Sequence, residues 1–148
     1  MSTLAQNRFE QIAFLSSGTP DADRALADLS AIYGNVVPEQ ADVIVALGGD
    51  GLMLQVLHRF MGRKKPIYGM NRGSVGFLMN EFSAEALRER LSAAEASTVH
   101  PLTMTATDVH GEVMNARAIN EVSVLRSSYQ AAKMRISIDG TERLSELV

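Results

Sequence analysis

The stretch Asp42-Val43-Ile44-Val45-Ala46-Leu47-Gly48-Gly49-Asp50-Gly51 passes from unbroken apolar character into three glycines set around an aspartate. A continuous apolar run of this length suits a strand buried on both faces, as in a parallel sheet. Downstream, residues 51–62 read as a helix. Met53, Leu54, Leu57 and Phe60 are its expected inward stripe. Upstream, residues 11–15 form a short apolar strand. Ser16-Ser17-Gly18-Thr19-Pro20 then turns into a helix over 21–33, with Ala25, Leu26, Leu29 and Ile32 at helical spacing. Gly34 closes that helix. A third strand is expected over 66–70. A third helix follows, with Ser83 as N-cap, Glu85 in its first turn and Leu87 and Leu91 facing inward.

This alternation predicts an α/β domain with an open, mainly parallel sheet. The pattern changes near Thr98. Residues 102–109 and 112–125 read as strands joined at His110-Gly111, and 133–138 alternates before the hairpin signal Asp139-Gly140. The expected organisation is an α/β domain over 1–98, then the first strands of an antiparallel β-sandwich domain over 99–148.

Composition narrows the function classes. The chain has 148 residues, 46% apolar and 21% charged, with net charge −3 and no cysteine. Disulfides, thiolate metal sites and cysteine nucleophiles are excluded. No run of about 18 apolar residues exists to span a membrane, and the N-terminus lacks the pattern of a secretory leader. A cytoplasmic location is expected, with neither membrane nor nucleic acid as partner. Arg63-Lys64-Lys65 reads as a solvated loop. His58, His100 and His110 have no metal-ligand spacing, so no metal ligands are assigned.

Three motifs carry the chemistry. Gly48-Gly49-Asp50-Gly51 falls where an open α/β sheet collects its ligands, at the carboxyl end of a strand. Glycine backbones there approach phosphate oxygens, and the next helix N-terminus favours an anion. Asp50 fits phosphoryl transfer, either as proton acceptor for an attacking hydroxyl or beside a divalent cation. The alternative is a turn in which Asp50 only caps the helix. The second cluster is Gly69-Met70-Asn71-Arg72-Gly73-Ser74-Val75-Gly76-Phe77-Leu78. Arg72 could meet a phosphate. Phe77 either stacks on a base or anchors the loop in the core, and the core is the better expectation on general grounds. The third is Asn120-Glu121, inside an apparent strand. The pair suits a base edge and ribose hydroxyls, or it simply faces solvent.

Taken together, Gly48-Gly49-Asp50-Gly51, then Gly69-x-Asn71-x-Gly73-x-x-Gly76-Phe77-Leu78, then Asn120-Glu121 resemble the NAD kinase family. The first motif alone also occurs in diacylglycerol and sphingosine kinases. The resemblance implies transfer of a phosphoryl group from ATP to the adenosine 2′-hydroxyl of NAD. It implies Asp50 as proton acceptor, with Asp50, Gly51, Phe77, Asn120 and Glu121 at NAD. It places Gly48, Gly49, Gly51, Asn71 and Arg72 at the ATP phosphates, with Mg2+ or another divalent metal. It also implies a homo-oligomer when complete. Leu52 stands where the family often has threonine, and Gln55 where a basic residue is common. The family continues beyond Val148 with an Asp-Gly pair and a Thr-Pro-x-Gly-Ser-Thr-Ala-Tyr-like segment. This chain is therefore expected to be an N-terminal portion that is not fully active alone. A lipid kinase of the diacylglycerol type, or a non-catalytic nucleotide-binding fragment, are the alternatives.

Overall fold

A computed structural model describes residues 9–73 and 76–148. Residues 1–8, read above for a leader, and Ser74 and Val75 of the second glycine cluster lie outside the described residues. The first part is a three-stranded parallel sheet in the order β1-β2-β3, with β1 Ile12–Ser16, β2 Val43–Gly48 and β3 Ile67–Asn71. β2 is central, and all six of its residues are buried, as its continuous apolar character requires.

Helix α1, Pro20–Tyr33, connects β1 to β2. Thr19 is its N-cap and its hydroxyl accepts from the Ala22 N–H. The Gly34 N–H closes the helix by donating to the Ser30 carbonyl. Ala22, Ala25 and Leu29 face the sheet and meet Ile12, Phe14, Val43, Val45 and Leu47. Ile32, expected inside, is exposed, and Ala22 is buried in its place. Helix α2, Asp50–Arg59, connects β2 to β3. Its inward stripe is Leu52, Val56 and Phe60, against Ala13, Ile44 and Ala46 on the opposite face of the sheet. The expected stripe of Met53, Leu54, Leu57 and Phe60 holds only for Phe60, because α2 is apolar on two sides and the sheet takes the other one.

These placements have a topological consequence. Both crossovers step the same way across the sheet, yet α1 covers one face and α2 the other. The two crossovers therefore have opposite hands, so one departs from the usual right-handed rule. The chain leaving β1 turns one way and the chain leaving β2 turns the other. Beside these turns, at the carboxyl end of β3, an open crevice is lined by Asn71, Arg72, Gly73 and Gly76, with Asp21 of α1.

The third helix, α3, is shorter than expected: Leu87–Ala93, with Ala86 rather than Ser83 as N-cap. The Ser83 hydroxyl accepts from the Glu85 N–H in the preceding turn. The first helical N–H, that of Leu87, donates instead to the Tyr33 hydroxyl, which itself donates to the Ala84 carbonyl. Leu87 and Leu91 are buried as expected.

Beyond α3 the chain forms two antiparallel hairpins. β4 Leu102–Thr107 pairs with β5 Val113–Ala118, and β6 Met134–Ile138 with β7 Thr141–Leu147. Asp139 and Gly140 both have positive φ at the second turn, as the Asp-Gly signal requires. Among the described residues, the last buried apolar side chain is Leu91, and both hairpins are largely exposed. β5 stops at Ala118, seven residues short of the expected end. Ala118 lies opposite Leu102, and Pro101 before it has no N–H to extend the ladder. Asn120 and Glu121 therefore lie past the strand, not within it.

Candidate active site

Gly48 ends β2 and Asp50 begins α2, so the glycine motif spans the strand-to-helix turn beside the crevice. Gly48 is there for lack of room. A β-carbon on it would stand 2.9 Å from the Ser17 Cβ and 3.0 Å from the Leu52 Cδ2. The β1–α1 loop and the first turn of α2 close on it from two sides. Leu52, where the resembled family often has threonine, thus has a packing role here. The Gly48 carbonyl accepts from the Arg72 N–H at 2.8 Å, which ties the second glycine cluster to the first. A β-carbon on Gly73 would lie 3.9 Å from the Gly49 nitrogen. The two loops are direct neighbours, as their positions after adjacent strands imply.

Asp50 is half-buried at the first position of α2, where a carboxylate is favoured by the helix field. Its carboxylate spans the gap to the second loop. The Phe77 N–H donates to Oδ2 at 2.9 Å, and the Leu78 N–H donates to Oδ1 at 3.0 Å. Asp50 makes no side-chain cap of its own helix, so the turn-capping alternative is not what the geometry gives. The Phe77 ring is fully exposed. It anchors nothing in the core, and that expectation is corrected: its backbone, not its ring, holds the loop.

The Arg72 guanidinium carbon lies over the Phe82 ring, 3.4 Å from its centroid. Its Nε is buried and has no hydrogen-bond partner among the described residues. Arg72 lines an open pocket with Asn71, Gly73, Gly76 and Asn80, beside Asp21 of α1. The Asn71 carboxamide oxygen accepts from the Gly73 N–H at 2.8 Å and shapes the loop. Phe82 was not legible as a partner of Arg72, since nothing in a ten-residue spacing across a loop points to stacking.

Asn120 and Glu121 stand elsewhere along α2. With Ala118 and Ile119 they face Leu54, Gln55, His58 and Arg59 across an open groove of about 510 Å³. Leu54 is one turn beyond Asp50 on the same helix, so α2 links this groove to the crevice. Gln55, noted as a departure, lines the groove. Among the described residues no three His, Cys, Asp or Glu side chains come together as a metal cage. No described helix is long and apolar enough to cross a membrane.

A model of the ATP-NAD kinase N-terminal domain matches residues 2–99. The chain belongs to the NAD kinase family. It is similar to the NAD kinase of Rhizobium meliloti (strain 1021), 54% identical over 140 residues, covering 95% of this chain and 54% of that one. The NAD kinase of Brucella suis biovar 1 is 59% identical over 135 residues, 91% of this chain and 52% of the relative. That of Mesorhizobium japonicum is 54% identical over 147 residues, 99% of this chain and 56% of the relative. The chain thus spans about half the length of the curated relatives it matches. Family membership sets aside the diacylglycerol-kinase alternative.

Proposed function

We propose that the whole protein is an NAD kinase, transferring the γ-phosphoryl group of ATP to the adenosine 2′-hydroxyl of NAD. The observation that carries this reading is the carboxylate of Asp50, held between two glycine-rich loops beside the crevice. Asp50 takes the proton of the 2′-hydroxyl as its oxygen forms a bond to the γ-phosphorus. The bond from that phosphorus to the bridging oxygen breaks, and ADP leaves. Gly49 and Gly51 present a bare backbone to the phosphates, with Asn71 and Arg72 beside them, while the buried Gly48, closed in by Ser17 and Leu52, supports the turn instead of meeting a phosphate. A divalent cation neutralises phosphate charge when bound. The donor set fits Mg2+ carried by ATP oxygens and one or two carboxylates rather than a cage built by the chain.

On the same reading, the exposed Phe77 ring and Gly51 meet the adenosine, and Asn120 and Glu121 meet base and ribose groups from the α2 groove. Residues 1–98 form the α/β domain, and 99–148 begin an antiparallel β-sandwich domain completed by further chain. The complete protein is expected to be a homo-oligomer.

The test is NADP formation from NAD, ATP and Mg2+, by this chain and by a form extended to the relatives' length. The extended form makes NADP, and the 148-residue chain makes much less. In the extended form, Arg72→Ala raises KM for ATP about 10- to 100-fold, the size of one charge-assisted hydrogen bond, with a smaller change in KM for NAD. If neither form makes NADP yet both bind nucleotide, the chain is a non-catalytic binding module.

A further inference from the structure

Asp50 needs a fixed orientation to act as a proton acceptor, and its own helix does not provide one. The orientation comes from a peptide 27 and 28 residues downstream. Successive N–H groups, of Phe77 and Leu78, each take one oxygen of the carboxylate at 2.9 and 3.0 Å. The residue before them is Gly76. A β-carbon there would stand 2.3 Å from Oδ1, 2.6 Å from Cγ and 2.9 Å from Oδ2 of Asp50. All three distances are shorter than real side-chain contacts, so a side chain at 76 and this carboxylate position exclude one another.

We propose that Gly76 and the N–H groups of Phe77 and Leu78 form a cradle that positions Asp50 for proton transfer, with Gly76 a positioning residue of the reaction. The inference rests on the phosphotransfer reading above and deepens it. Each carboxylate oxygen accepts about two hydrogen bonds, so the cradle leaves acceptor capacity on both for an incoming hydroxyl. Because donors grip both oxygens, the plane of the carboxylate is set as well as its position. Proton transfer is sensitive to both, and a displacement of about 1 Å is enough to lose about 100-fold in rate. The cradle also carries the exposed Phe77 ring on the same peptide. A nucleobase resting on that ring is held in register with the acceptor, because ring and carboxylate share one support.

A role limited to closing the loop would show as a rise in KM, whereas positioning of the acceptor shows in kcat. In the extended form, Gly76→Ala lowers kcat about 100-fold while KM for NAD stays within about three-fold. Added to Asp50→Asn, it brings no further loss, since the acceptor it positions is already gone. The proposal is overturned if kcat of Gly76→Ala stays within about three-fold of the unmodified protein, if the loss lies in KM alone, or if the two losses multiply. Should Gly76→Ala fail to fold, amide NMR of the unmodified protein against Asp50→Ala decides the matter. The Phe77 and Leu78 amide protons move upfield when the carboxylate is removed, and unmoved amides sink the cradle. Activity remaining in Asp50→Asn would remove the proton-acceptor reading, whereas the amide shifts report on the cradle independently.

Discussion

Asp50→Asn, in a form extended to the relatives' length, lowers NADP formation about 10²- to 10⁴-fold, the range that a positioned proton acceptor contributes. The substitution keeps the size of the side chain and removes its capacity to take a proton. It also changes the cradle. An amide has one oxygen and one NH2 group, while Phe77 and Leu78 present two donors. One donor must then face another, so the loop loses one of two bonds that fix it. The loss therefore has to be partitioned. A change confined to kcat, with nucleotide affinity retained in equilibrium binding, assigns it to proton transfer. A rise in KM of similar size assigns it to loop disorder. Activity within about ten-fold of the unmodified enzyme would mean that the attacking hydroxyl loses its proton elsewhere.

The parts of this site that were legible in sequence are those set by local patterns. The run Val43–Gly48 had to be a buried strand because no face of it is polar. A strand running into Gly48-Gly49-Asp50-Gly51 put the candidate site at its carboxyl end. The paired glycine loops followed from the same reasoning, and the Arg72-to-Gly48 bond confirms their adjacency. What was not legible depends on which of two equivalent local choices the tertiary structure makes. α2 has apolar residues on two sides, and the choice of Leu52, Val56 and Phe60 follows from the crossover running over the face of Ala13, Ile44 and Ala46.

The start of α3 depends on a hydroxyl 54 residues away, that of Tyr33. The end of β5 depends on its partner strand, which stops at Leu102 after a proline. The apolar stretch after Asn120 gave no sign of that. Phe77 shows the general limit. A lone aromatic ring in a glycine-rich loop is most simply read as an anchor. The anchor here is its peptide N–H, which no side-chain pattern encodes.

Leu47→Ala should lower the unfolding free energy by about 2–5 kcal/mol, the usual range for removing a fully buried leucine. Leu47 is the last apolar residue of β2 and is completely buried in the cluster that joins the sheet to α1 and α3. Its carbonyl accepts from the Ser17 N–H at 3.0 Å, so it also holds the β1–α1 loop against the end of β2. A methyl in its place leaves a void between sheet and helices, and the neighbouring backbone is pinned on both sides, which limits collapse. With a urea dependence of about 1–3 kcal/mol per molar for a domain of this size, the midpoint falls by roughly 0.7–5 M at an unchanged slope. Leu47 touches the crevice only through the backbone it supports. The substitution should therefore act on the fraction folded rather than on the chemistry. At low temperature, where the variant is folded, turnover per folded molecule stays near that of the parent. A large loss of turnover in a fully folded variant would mean that the position of Gly48 and Asp50 is set by this core contact, and not by the loop on the far side of the crevice. The two substitutions thus separate the two supports of the site: Leu47 beneath the turn, and the Gly76–Leu78 peptide across from it.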